Sequence, residues 1–216
     1  MSGRRAARRR PRPQAHVRKD ATRVRFWRWF RTLPILVMLI FAAVTFSEAA
    51  LPDNVLRSTI YPLRHVDAIE ASSARHGIDS YLAAAVIKCE SDWNEEAGSH
   101  AGAVGLMQLM PATAQEMVRL GVVDGSAYDP DDLTDPDTNI EFGCAYLGWL
   151  QRQSSSLDEV IAAYNAGPGI VDQWLADGSA DDEVENLVQY PETRSYLQRV
   201  EDAYNRYQEL YPAGLA

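Results

Sequence analysis

The sequence predicts a mainly α-helical domain carried behind a single N-terminal transmembrane helix, and three observations predict it. Charge is divided along the chain: residues 1–31 hold 12 of the 21 Lys+Arg and 1 of the 30 Asp+Glu, leaving 9 basic against 29 acidic residues in 32–216. Between the two regions, Thr32 to Ser47 reads TLPILVMLIFAAVTFS without a charge. From residue 66 onward, apolar residues recur at spacings of three and four, the period of an amphipathic helix, with no alternating strand of convincing length. At 216 residues and 46% hydrophobic content, the chain supports one globular domain and not two of ordinary size.

Residues 1–31 read as a basic cytoplasmic tail and 32–50 as a signal anchor. The uncharged run is slightly shorter than the ~20 residues that span a bilayer core. Phe26, Trp27, Trp29 and Phe30, interleaved with Arg28 and Arg31, extend its effective length. The positive-inside rule keeps the tail in the cytoplasm and places Leu51 onward outside the cell membrane. A cleaved signal peptide is the rival, since SEAA at 47–50 offers small residues at cleavage positions, although the basic region is long for one. Nucleic acid is not an expected partner. The tail leads straight into a membrane segment, and the acidic remainder repels phosphate.

Residues 51–65 read as a tether with turn signals at Leu51-Pro52 and Tyr61-Pro62, and residues 66–211 as the helical domain. Val66, Ile69 and Ala74 share one side of a helix that Gly77 stops. Asp79 caps the next, in which Leu82, Ala85, Val86 and Cys89 form one stripe. Pro111 stands at a first-turn position of a helix that ends at Gly121. DTNIEFGCAYLGWLQRQ, LDEVIAAYNAG, GIVDQWLADG and PETRSYLQRVEDAYNRYQELY continue the series, while GSHAGAVG (98–105) reads as irregular or as a small hairpin. The five aspartates of YDPDDLTDPDTN (128–139) suggest calcium, but the EF-hand glycine and terminal glutamate are missing at their spacing. Asp-Pro turns and helix caps account for them, so no metal and no cofactor is expected.

The stretch AVIKCESDWN (85–94) carries the chemistry. At 100° per residue, Glu90 falls about 80° from Leu82 and so borders the buried stripe. Partial burial raises a carboxyl pKa, which keeps a proton donor available near neutral pH. By itself this position is better read as a solvated glutamate in the last turn of a helix. Downstream, ESDWNEEAGSHAGAVGLMQLMPATA (90–114), AAYNAGPG (162–169) and ETRSYLQRV (192–200) follow in order. Together they resemble the signature motifs of the soluble-lytic-transglycosylase family of the goose-lysozyme-like superfamily, over most of residues 60–211. Leu197 departs from the valine more usual in the last motif.

The resemblance implies a lysozyme-like helical fold and peptidoglycan glycan strands as substrate. It makes Glu90 the sole catalytic acid/base, with Ser99, Gln108, Met110, Ala163, Tyr164, Glu192 and Tyr196 lining the sugar groove and Asn165 ordering the turn behind Tyr164. Most glycosidases use two carboxylates, but substrate-assisted routes need one. Tyr164 and Tyr196 are expected as phenolic donors to Glu90 or to the sugar's acetamido group. A hydrolytic muramidase and a non-catalytic wall-binding module are the alternatives. A disulfide between Cys89 and Cys144, bracing the helix of Glu90, is expected from their extracytoplasmic setting, against two buried free thiols.

Overall fold

The computed structural model describes Met38, residues 52–178 and residues 188–215. The basic tail and, apart from Met38, the expected membrane helix lie outside the described residues. Among the described residues no helix is long and apolar enough to cross a membrane.

The domain is built from α1 (Val66–His76), α2 (Ser80–Ser91), α3 (Pro111–Arg119), α4 (Pro136–Gln151), α5 (Leu157–Ala166), α6 (Pro168–Asp177) and α7 (Pro191–Leu210). Local chemistry sets most of the boundaries. Gly77 ends α1 in the left-handed region at φ 70°, where a side chain would be strained. Asp79 accepts the Tyr81 N–H at 2.9 Å and Asp135 the Thr138 N–H at 2.8 Å, capping α2 and α4 as Asp-rich segments favour. Prolines open α3, α4, α6 and α7 in the first turn, where a missing N–H costs nothing. The aspartates of 128–139 thus serve turns and caps; Asp129 and Asp132 likewise accept from Asp131 N and Thr134 Oγ1.

α2 packs against α1 on one side and α7 on another, while α4 packs on α1, α3 and α5, and α5 also on α6 and α7. Every residue from Leu82 to Ile87 is buried, so α2 is encased where the sequence pattern predicts a one-sided stripe. The run Ala83-Ala84-Ala85 permits this, since small side chains let neighbours approach on the faces a stripe would leave open. Residues 52–65, expected as a tether, hold a short helix (Asp53–Val55) running into a π turn (Leu56–Ile60). Leu56 is buried and the Tyr61 ring meets Tyr207 edge-on at 5.5 Å, so apolar contact docks this segment on the domain. Gly98 to Leu109 forms isolated antiparallel bridges, Gly98 to Val104 and Val104 to Leu109, and is otherwise irregular.

α1 and α4 are joined through a buried ion cluster. Glu141 of α4 accepts from Ser72 Oγ at 2.6 Å, from Arg75 through both Nε and Nη2, and from His76 Nε2 at 2.9 Å. Since an ionised carboxylate only accepts, His76 Nε2 carries the hydrogen here. The helices cross closely at this point: a Cβ on Gly148 would lie 2.5 Å from the His76 carbonyl oxygen. Burial pushes the Glu141 carboxyl upward, but the hydrogen bonds from His76, Arg75 and Ser72 outweigh it and hold the pKa at about 2.

A depressed folded-state pKa stabilises the fold above the unfolded value and is lost as pH falls through the folded one. The shift corresponds to roughly 3 kcal/mol, present above about pH 5 and gone near pH 2. Glu141→Gln is therefore expected to lower the urea unfolding free energy at pH 7 by about 3 kcal/mol. The gap from wild type should close as pH falls; a gap constant from pH 7 to pH 2.5 would rule out the carboxylate as its source.

Candidate active site

Glu90 occupies the last turn of α2, half-buried at the end of the encased segment. The helix stops abruptly after it. Asp92 and Trp93 both take left-handed backbone conformations, at φ 51° and 65°. For non-glycine residues this costs on the order of 1 kcal/mol or more each. The Trp93 side chain offsets it, being 1% exposed and donating its indole Nε1–H to the Tyr207 hydroxyl at 2.9 Å. Burying an aromatic of this size contributes about 1.5–3 kcal/mol before the hydrogen bond is counted. An ion pair of Lys88 with Asp92 and a bond from Arg64 to the Trp93 carbonyl at 3.4 Å hold the same corner.

Desolvation raises the Glu90 carboxyl above the ordinary range, opposed in part by the Tyr196 hydroxyl and by the positive charge of Arg199. Tyr196 is itself buried at 2% exposure, and its hydroxyl is the buried side-chain oxygen without a hydrogen-bond partner among the described residues. It therefore acts on Glu90 by proximity, without closing a hydrogen bond of normal geometry. The Arg199 guanidinium lies over the Tyr196 ring, 5.8 Å from its centre. Burial and then the Glu90 charge push both the Tyr196 and Tyr164 hydroxyls well above the usual phenol range, so both keep their protons.

Tyr164 departs from the expectation that it donates to Glu90 or a sugar. Its hydroxyl donates to the Met107 carbonyl at 2.8 Å, which ties α5 to the irregular loop. That loop is clamped from behind by Asn139 of α4, which is fully buried. Asn139 Oδ1 accepts the Met107 N–H at 2.8 Å, and its Nδ2 donates to the Val104 and Leu133 carbonyls at 2.9 Å. Gln108, at φ 44°, spends its Nε2 donors on the Ala97 and Gly105 carbonyls at 3.0 Å each. Both amide hydrogens of Gln108 are thus committed to the loop's own backbone, and its oxygen is its acceptor.

The other expected residues play more separate parts. Ser99 is exposed and its hydroxyl accepts from Ala103 N at 3.0 Å within the loop. Met110 is 41% exposed at the N-cap position of α3. Ala163 is buried in α5, so its methyl packs in the core instead of forming an open wall. Glu192 is exposed in the first turn of α7, where a carboxylate suits the helix dipole. Asn165 Oδ1 accepts the Thr193 hydroxyl at 2.8 Å and so joins α5 to α7 just behind Tyr164.

The expected disulfide is not formed, and Cys89 and Cys144 are both free. Cys144 is buried on α4 with its sulfur 3.8 Å from the Ser73 hydroxyl, while Cys89 borders a hollow with Tyr61 and Arg199, so the two thiols belong to different neighbourhoods. Sequence reasoning missed Trp93, Asn139, Arg199 and the stacked pair Tyr146 and Trp149, whose rings lie 6.1 Å apart. Trp93 had a signal, an aromatic directly behind the acidic helix end. Asn139 had none, since two of its three partners, Met107 and Val104, lie 32 and 35 residues upstream.

The family described as transglycosylase SLT domain matches residues 67–186. The chain is 36% identical over 154 residues to the soluble lytic murein transglycosylase of Escherichia coli K12, covering 68% of this chain and 24% of that protein. It is 31% identical over 169 residues to the membrane-bound lytic murein transglycosylase C of Edwardsiella ictaluri, covering 68% and 47%. Among solved structures it is similar to an inactive mutant of the lytic transglycosylase Slt from Pseudomonas aeruginosa, with a TM-score of 0.65 and 30% identity over 85% of this chain and 30% of that one. The chain spans less than half the length of each of these proteins.

Removing the Tyr196 hydroxyl takes away a group that favours the Glu90 anion. Tyr196→Phe should therefore raise the Glu90 pKa further, read by carboxyl NMR titration. An unchanged or lower value would show that the hydroxyl does not act on Glu90.

Proposed function

The chain belongs to the transglycosylase SLT domain family, and from that premise we propose that it is a lytic murein transglycosylase with Glu90 as its sole acid/base. The substrate is the β-1,4 bond between N-acetylmuramic acid and N-acetylglucosamine in peptidoglycan. The observation that carries the reading is the half-buried Glu90 carboxyl, raised by desolvation beside the unpartnered Tyr196 hydroxyl.

Protonated Glu90 gives its proton to the departing N-acetylglucosamine oxygen as the C1–O bond breaks. The substrate's own acetamido oxygen stabilises the positive charge at C1. Glu90, now a carboxylate, takes the proton of the C6 hydroxyl, and that oxygen attacks C1 to close a 1,6-anhydro ring. The carboxyl ends as it began and no water is consumed. The Tyr196 hydroxyl and the Gln108 amide oxygen are suited to orient the acetamido group and the sugar hydroxyls. Ser99, Met110 and Glu192 complete the groove in this reading, with Ala163 behind it in the core and Tyr164 fixing the loop without touching sugar.

Because the carboxyl must start protonated, the rate should fall as pH rises through the raised Glu90 pKa. Mass spectrometry of digested murein should find 1,6-anhydromuramyl ends with wild type and none with Glu90→Gln. Reducing ends alone would make the enzyme a hydrolytic muramidase, and release unchanged by Glu90→Gln would leave a wall-binding module.

We further propose that residues 32–50 anchor the domain at the outer side of the cell membrane, with 51–65 joining it to the catalytic unit 66–211. Sixteen consecutive uncharged residues behind a basic tail support this, as does similarity to a membrane-bound relative. Full-length protein should stay with membranes after high-salt and alkaline washing, and a chain of residues 52–216 should not. Release of both by alkali would remove the anchor.

A further inference from the structure

We propose that Tyr61, Arg64 and His65 are positioning residues for the reaction, which brace the corner of the chain that carries Glu90. The proposal rests on the transglycosylase reading. It adds to that reading a piece of machinery ahead of residues 67–186, the stretch that the family match covers.

The first ground is where these side chains land. Lys88 precedes Glu90 by two residues, and Trp93 and Glu95 follow it by three and five. The segment before α1 touches all three. The Lys88 ammonium lies over the Tyr61 ring, 5.7 Å from its centre. Arg64 donates to the Trp93 carbonyl at 3.4 Å. His65 Nε2 stands 2.8 Å from Glu95 Oε1 and carries the hydrogen, because an ionised carboxylate only accepts. Pro62 adds a tie at one remove. Its carbonyl accepts the Tyr207 hydroxyl at 3.2 Å, and that hydroxyl accepts the Trp93 indole at 2.9 Å.

The second ground is backbone strain. Among the described residues, four non-glycine residues take left-handed conformations: His65, Asp92, Trp93 and Gln108. Asp92 and Trp93 end the helix of Glu90, and Gln108 stands in the loop of the motif. His65 is the fourth, and α1 does not require it, since the His65 side chain caps no N–H of that helix. The side chain goes to Glu95 instead. A part-exposed pair of this kind stabilises a fold about as little as the strained conformation costs. Stability therefore does not account for the arrangement, whereas placement of the corner does.

The third ground is that the brace is itself fastened. Leu56 is buried, and the Tyr61 ring meets Tyr207 edge-on at 5.5 Å. The Tyr61 carbonyl accepts the Tyr211 hydroxyl at 2.9 Å, and the Arg57 guanidinium lies 5.3 Å from the centre of the Tyr211 ring. The segment is thus fixed to the end of α7 and passes that fixity to the corner of Glu90.

The test uses the full-length chain in detergent and two readouts that a merely structural role would not move. Carboxyl NMR titration should show the Glu90 pKa falling toward the ordinary range in Tyr61→Ala and in His65→Ala, since a loosened corner admits water to the carboxyl. On soluble murein strands, kcat should fall roughly tenfold in the double variant while KM stays within twofold. Tyr61→Phe keeps the ring and His65→Gln keeps a donor to Glu95, so each should recover most of the loss. Urea unfolding checks that the variants are folded. His65→Ala, at the more exposed end of the brace, carries the test if Tyr61→Ala does not fold. Lower stability with the Glu90 pKa and kcat unmoved would make the segment a support for the fold only and overturn the proposal. Losses shared equally between kcat and KM would overturn it too. A moved pKa in a protein whose wild type leaves no anhydro ends would overturn the catalytic reading and leave the brace on Glu90 standing.

Discussion

The burial of Trp93, with its indole hydrogen given to Tyr207 at 2.9 Å, is the interaction on which the placement of Glu90 depends. An encased helix has little freedom to choose where it ends, because each further turn must also find packing. α2 ends by forcing two non-glycine residues into the left-handed region, and Trp93 supplies the apolar burial and hydrogen bond that hold them there. Glu90 is thereby carried to the rim of the core by a rigid helix and not by a loop, so its degree of desolvation is set by packing.

The opposite wall is built on another principle. The loop from Ala97 to Met110 has almost no regular structure, yet its backbone groups are bonded individually to Asn139, Tyr164 and Gln108. A segment held by side chains from α4 and α5 is as fixed as a strand while leaving one edge free for a ligand. This explains why Tyr164, which the motif offers as a substrate-facing donor, acts on the loop. Its hydrogen is already committed, and burial beside Glu90 makes loss of that proton costly.

How much of this was legible in the sequence follows from the range of each interaction. Gly77, Asp79, Pro111 and Asp135 mark helix ends through contacts two to four residues away, and all are readable in the chain. The encasement of α2 was not, because Ala83 and Ala84 read as neutral until other helices close on them. Asn139 and the Glu141 cluster depend on partners 32 and 65–69 residues distant, beyond any local pattern. The cysteine pairing failed for the same reason: proximity in space was inferred from compartment, and the two sulfurs turned out to face different helices.

The unpartnered Tyr196 hydroxyl has a consequence for anyone trying to improve this protein. A buried hydroxyl that closes no hydrogen bond of normal geometry stabilises a fold less than a fully satisfied one. A heat-based screen blind to activity would be drawn to phenylalanine at this position and would report a better protein. Selection on murein would reject the same variant. Position 196 is thus where robustness and usefulness part company, and it should be held fixed in any thermostabilised version of the chain.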